Sequence, residues 1–103
     1  MPLTTTDKML AAARKNGYAV AAFNCENMEM IQAIIKAGEE MNAPLILQTT
    51  PSTIGYASAE LFAANVSAAA KNSPVPVALH LDHGNSPQLA ENALRAGYIP
   101  PQQ

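Results

Sequence analysis

Three short apolar runs, beginning at Tyr18, Pro44 and Val75, recur at intervals of about 30 residues along this 103-residue chain. Each run is followed by a stretch with helical periodicity. Near-continuous apolar strands alternating with helices build a parallel sheet of βα units, because such strands are covered on both faces. The pattern therefore predicts an α/β fold. The spacing fits the repeating unit of a closed (β/α)8 barrel, and it fits a doubly wound open sheet nearly as well.

The helices carry their own punctuation. A capping-box pattern at residues 4–7 opens the first, Met9, Leu10 and Ala13 recur on one face, and Asn16-Gly17 ends it. Residues 18–24 form the first strand. Asn27 can cap a second helix whose buried stripe is Met28, Ile31, Ile34, Ile35 and Gly38, with Glu29, Lys36, Glu39 and Glu40 on the wet side. Residues 44–50 form the second strand, starting on a proline, and residues 51–57 a loop. Ser58 then caps a helix with Leu61, Phe62, Val66 and Ala69 on its apolar face. Residues 75–82 form the third strand. Ser86-Pro87 places an N-cap before a proline at the first helical position, Leu89, Ala93 and Leu94 face inward, and Gly97 closes that helix. Met9, Met28, Met30 and Met41 read as helix packing.

Composition removes several function classes. Hydrophobic residues make up 49% and charged residues 14%, too apolar for a disordered segment. The longest unbroken apolar run, residues 18–23, is six residues, far short of the roughly 20 that span a bilayer. No secretory leader is evident at the start. Six Lys and Arg are scattered through a chain of net charge −2, and there is no Trp, so neither a basic footprint nor a base-stacking platform for nucleic acid is present. A single cysteine, Cys25, forbids an intrachain disulfide and suits the cytoplasm. The glycines at 17, 38, 55, 84 and 97 make no G-x-G-x-x-G and no Walker loop, which argues against a flavodoxin-like or nucleotide-binding module.

Polar residues gather at the C-terminal ends of the strands: Asn24, then Thr49 and Thr50, then Asp82 and His83. Active sites of parallel α/β folds are built at that end. The same residues also suit local roles, an Asx turn for Asn24 and a bond to nearby backbone for Thr50. Within His80-Leu81-Asp82-His83-Gly84, alternation puts His80 and Asp82 on one face, so His80 and His83 are poorly placed to grip one metal. Gly84 lets the chain turn and His83 leave the pleat. A histidine beside a carboxylate there suits either a metal ligand with an acid/base partner or a proton relay. His80 reads as an interior histidine with a hydrogen-bond partner, and Cys25 as a small apolar filler.

Taken together, GYAVAAFN (residues 17–24), APLILQTT (43–50) and above all PVALHLDHG (76–84) resemble the class II, metal-dependent ketose-bisphosphate aldolases, fructose- or tagatose-bisphosphate type. The resemblance spans residues 3–98 and implies a (β/α)8 TIM barrel, of which residues 1–98 would be the first three βα units and residues 99–103 an unrelated or truncated tail. It implies zinc-dependent, reversible cleavage of a ketose 1,6-bisphosphate to dihydroxyacetone phosphate and glyceraldehyde 3-phosphate. Asp82 would be the acid/base at the C4 hydroxyl, His83 a zinc ligand, Thr50 a hydroxyl on the phosphate of the aldehyde half, and Asn24 a polar wall of the substrate site. Zinc would polarise the ketose carbonyl, so no Schiff-base lysine is required. The implied partner is a phosphorylated ketose, with full-length relatives homo-oligomeric.

The chain departs from that family after Gly97. Where a fourth strand would begin it reads YIPPQQ (98–103), and two successive prolines cannot sit in a central strand. The family's other two zinc histidines and its ketone-side phosphate loops lie beyond this point. A catalytic zinc ordinarily takes three protein ligands, and one credible ligand is present. Two expectations therefore stand side by side: an aldolase segment inactive by itself, or a non-catalytic remnant without independent function.

Overall fold

The computed structural model describes residues 3–98. Its elements in chain order are α1 (Thr6–Asn16), β1 (Ala21–Asn24), α2 (Met28–Met41), β2 (Leu45–Thr49), α3 (Pro51–Tyr56), α4 (Ala59–Ala70), β3 (Val77–Leu81) and α5 (Pro87–Ala96). The three strands form one parallel sheet in the order β1-β2-β3. Sequential order with parallel neighbours is the winding of a barrel segment, not the reversal that marks a doubly wound sheet.

Strand alternation sorts the sheet into two faces. Leu45, Leu47, Val77 and Leu79 point toward the helices and join Ile31, Ile35, Phe62 and Val66 in the main core. Ile46 and Ala78 point the other way, where α1 covers them with Met9. Thr4 fixes the approach to α1 by donating its N–H to the Val77 carbonyl at 2.9 Å. The helix α4 packs between α2 and α5. The first face is thus the outer wall of a barrel segment and the second its inside, with α1 at the floor.

The predicted caps form. Met30 N–H donates to Asn27 Oδ1 at 2.8 Å, Leu61 N–H to Ser58 Oγ at 3.0 Å and Leu89 N–H to Ser86 Oγ at 3.1 Å. Gly17 and Gly97 end α1 and α5 in the left-handed region, at φ 73° and 117°. At the start of α1 the capping box is replaced: Thr5 is the N-cap without a side-chain cap bond, and its hydroxyl donates instead to the Asp7 carboxylate.

Other expectations are corrected. Residues 51–56 are helical, because Thr50 takes the extended N-cap conformation and Pro51 supplies a preset first helical residue. The strands are shorter than expected, β1 at its start only and β2 and β3 at both ends. Leu10, Met28, Leu61 and Leu94 lie on apolar stripes but are exposed, as are Met30 and Met41. Leu10 borders the inner face of the sheet beside Ala22 and Ile46, and Met28 and Leu61 line one groove with Tyr56 and Asn65. The tail at residues 99–103, including the proline pair, lies outside the described residues.

Candidate functional site

Parallel register lines up one polar residue from each strand. Asn24 pairs with Gln48 and Gln48 with His80, on the inner face near the C-terminal ends of the strands. Gln48 Nε2 donates to Asn24 Oδ1 at 2.7 Å. This cross-strand bond takes the place of the Asx turn suggested by sequence for Asn24. Gln48 went unmarked in the sequence reading, although a glutamine inside the apolar run LILQT was the available signal. Beneath the row lies a cavity of about 240 Å³ lined by Thr6, Leu10, Ala22, Ile46, Gln48 and His80.

Asp82 lies one alternation above His80, on the same face. Its backbone N–H donates to the Thr49 carbonyl at 2.8 Å, which fixes it where β3 ends. Its carboxylate stands between two imidazoles: Oδ1 is 3.9 Å from His80 Nε2 and Oδ2 is 3.5 Å from His83 Nε2. His80 is half-buried with its ring turned to Asp82 beyond hydrogen-bond reach, and not an interior histidine with a bonded partner. His83 itself takes the left-handed conformation, φ 56°, so the turn does not depend on glycine freedom at residue 84. Gly84 matters for space: a Cβ there would stand 3.2 Å from Leu81 Cδ2.

A second chain of contacts crosses the β1 and β2 loops. Thr50 Oγ1 lies 3.2 Å from Thr53 Oγ1, and the Thr53 hydroxyl donates to Glu26 Oε2 at 2.8 Å. The Thr50 hydroxyl therefore bonds a side chain on the new helix α3, where sequence suggested local backbone. Glu26 and Thr53 were missed because their pairing spans 27 residues and follows only from β1 and β2 being neighbours.

Beneath these loops Cys25 is fully buried, with its thiol 3.7 Å from the Gln48 carbonyl. Burial, with Glu26 adding in the same direction, pushes its pKa up to about 11. It is a packed thiol and not a nucleophile. Another cavity of about 240 Å³ lies between α1 and the starts of the strands, lined by Lys8, Met9, Ala12, Tyr18, Pro44 and Pro76 among others. It is almost wholly apolar and at the end of the sheet away from the polar row.

Among the described residues no group of three or more His, Cys, Asp or Glu could hold a metal ion. A catalytic zinc needs three protein ligands. The donor set of the described residues therefore does not make a complete zinc site, and His83 offers one exposed imidazole at the end of β3. No helix of the described residues is long and apolar enough to cross a membrane.

Residues 4–99 match the family model described as fructose-bisphosphate aldolase class-II. The chain is 41% identical over 97 residues to the fructose-bisphosphate aldolase of Helicobacter pylori (strain ATCC 700392 / 26695), covering 93% of this chain and 32% of that protein. It is 45% identical over 96 residues to the Thermus caldophilus fructose-bisphosphate aldolase, covering 93% and 31%. The crystal structure of the YdjI aldolase from Escherichia coli K12 superposes with a TM-score of 0.86 at 33% identity, over 93% of this chain and 38% of that one. The chain thus spans about a third of the length of the curated relatives it matches.

Proposed function

The chain belongs to the class II fructose-bisphosphate aldolase family, and on that premise we propose that it supplies part of a zinc-dependent site for a ketose 1,6-bisphosphate. The reaction is reversible cleavage of fructose- or tagatose-bisphosphate to dihydroxyacetone phosphate and glyceraldehyde 3-phosphate, in the cytoplasm. The observation that carries this reading is Asp82, held by its backbone at the end of β3 and flanked by His80 and His83.

Asp82 moves the proton of the substrate's C4 hydroxyl. Anchoring at Thr49 fixes its height above the sheet, as acid/base work requires, since proton transfer needs heavy atoms within about 3 Å. His83 contributes one metal ligand, and the remaining ligands belong to parts of the barrel that these residues do not include. The metal, when bound, polarises the ketose carbonyl. Thr50 gives its hydroxyl to a substrate phosphate, oriented through Thr53 by Glu26. Asn24 lines the substrate side and is held by Gln48.

With one metal ligand, the 103-residue chain alone does not cleave these substrates. Joined to the remaining βα units of a family member, it becomes active, and Asp82→Ala then lowers kcat by about 10²–10⁴-fold. Metal content and thermal stability stay near those of the parent. A kcat within a few-fold of the parent, or unfolding of the variant, would replace the acid/base role with a strand cap. Zinc-dependent turnover by the 103 residues alone would show that the ligand set is larger than His83.

A further inference from the structure

The contacts that join Glu26, Thr53 and Thr50 have a direction, and Glu26 sets it. A carboxylate accepts hydrogen bonds and has no proton to give, so Thr53 spends its single hydroxyl proton on Glu26 Oε2, 2.8 Å away. Lone pairs are all that Thr53 Oγ1 then has left to offer. The 3.2 Å contact between Thr53 and Thr50 is therefore donated by Thr50. Thr53 is 2% exposed, so solvent does not supply it with an alternative partner.

Thr50 carries the consequence. It is half-buried at the C-terminal end of β2 and is the N-cap residue of α3, yet its side chain makes no cap bond with that helix. Its proton is turned to Thr53, and its lone pairs have no donor among the described residues. What Thr50 presents to a ligand is thus an acceptor. A phosphate oxygen is itself an acceptor and asks for a donor, whereas a ligand hydroxyl can donate to Thr50 as it stands.

We propose that Glu26 is a specificity-determining residue: through Thr53 it holds the Thr50 proton away from the ligand, and so weakens the binding of a phosphate at Thr50 relative to that of a ligand hydroxyl. The inference rests on the reading that Thr50 meets the substrate phosphate, and adds that the phosphate must draw the Thr50 proton off Thr53 to do so. Glutamine at residue 26 removes that obstacle. Its amide turns either its oxygen or its NH2 group to Thr53. With the NH2 group inward the whole sequence of bonds reverses: the amide donates to Thr53, Thr53 donates to Thr50, and Thr50 donates outward to the phosphate. The Glu26 charge also repels an anion directly, and Thr53 separates the two effects, because replacing its hydroxyl breaks the relay and leaves the charge in place.

The test titrates the 103-residue chain with inorganic phosphate and follows the backbone amide shifts of Thr50, Ser52 and Thr53 by NMR, with far-UV circular dichroism as the check on folding. Glu26→Gln should bind phosphate about threefold or more tighter than the parent. Thr53→Val, which keeps the Glu26 charge, should gain as much, and the double variant little more than either single one. Thr53→Ser keeps the hydroxyl and should bind as the parent does, and Thr50→Val should remove binding in every background. If Thr53→Val does not fold, the gain of Glu26→Gln is compared at low and high potassium chloride: a gain through the relay survives salt, whereas the effect of an exposed charge is screened. The proposal is overturned by a gain in Glu26→Gln that Thr53→Val lacks or that salt removes, by equal affinities in parent and variants, or by the absence of a saturable shift in all of them. Binding that survives Thr50→Val would defeat both this proposal and the phosphate role of Thr50. Absence of cleavage by the chain joined to the remaining units would defeat the acid/base reading of Asp82 and leave these affinities unchanged.

Discussion

Tyr98 and Thr49 meet through their hydroxyls at 2.8 Å in the buried layer between sheet and helices. Tyr98 directly follows the left-handed Gly97 that ends α5, and Thr49 is the last residue of β2, so one bond ties the final helix to the central strand. Both residues are almost completely buried. Tyr98→Phe keeps the ring and strands the Thr49 hydroxyl, which should cost about 1–3 kcal/mol in urea unfolding. Removing both hydroxyls with Tyr98→Phe and Thr49→Val should recover most of that loss, because no buried polar atom is left unpaired. Equal losses in the single and double variants would show that the bond is not formed in solution.

Alkaline pH should weaken the fold through the same layer. Burial raises the pKa of Cys25 from 9.0 to about 11, and burial also raises that of Tyr98 against the opposing bond from Thr49. In each case the folded chain keeps a proton that the unfolded chain releases. Stability is therefore full below pH 9 and falls as pH rises toward 11. Cys25→Ala should flatten the lower part of this decline in urea titrations at fixed pH, and Tyr98→Phe the upper part. An unchanged pH slope in Cys25→Ala would mean that the thiol is hydrated in the folded chain.

The sequence was most legible where local chemistry decides. Asn27, Ser58 and Ser86 cap helices because a short oxygen-bearing side chain reaches a free N–H two or three residues on, and this needs no tertiary context. The strand cores were equally readable from their unbroken apolar runs. The helix α3 was not, since its six residues PSTIGY carry no apolar period and only the Thr50-Pro51 start signals it. Exposure of Met28 and Leu61 was illegible for a different reason: periodicity says which face is apolar, not whether anything is packed on it. At the site, Asp82 and His83 stood out as a local motif and Gln48 was signalled by its place inside an apolar run, while the pairing of Glu26 with Thr53 emerged only from β1 and β2 being neighbours.

Gly38 offers a test of packing between α2 and β2. A Cβ there would lie 2.3 Å from Leu45 Cδ1, 2.8 Å from Leu45 Cγ and 3.2 Å from the Ala43 carbonyl oxygen. Leu45 is itself buried, so its side chain cannot simply swing aside. In an exposed helix Gly→Ala gains about 1 kcal/mol. Here overpacking of about 1–3 kcal/mol opposes it. Gly38→Ala should therefore be net destabilising by about 1 kcal/mol, and Leu45→Ala in the same chain should make Gly38→Ala favourable. A Gly38→Ala variant more stable than the parent would show that α2 can shift away from the sheet.

His83 sets stability against function at one residue. Its backbone is left-handed at φ 56°, a conformation that costs a residue with a Cβ about 1–2 kcal/mol and glycine little. Its side chain is 81% exposed, so no packing repays that cost. A strained, exposed histidine beside a carboxylate is the expected signature of a group kept for binding. His83→Gly should accordingly raise the stability of the chain by up to about 1 kcal/mol, His83→Asn should be nearly neutral because asparagine tolerates the left-handed region, and His83→Val should lower it. When the chain is joined to the remaining units of a family member, the order reverses for metal. If His83 holds the metal as proposed, all three variants lose that ligand, and zinc content measured by atomic emission should fall together with turnover, most visibly in the more stable His83→Gly. A His83→Gly protein that keeps one tightly bound zinc per site would remove His83 from the ligand set, and a glycine variant less stable than the parent would show that the imidazole–Asp82 contact outweighs the backbone strain.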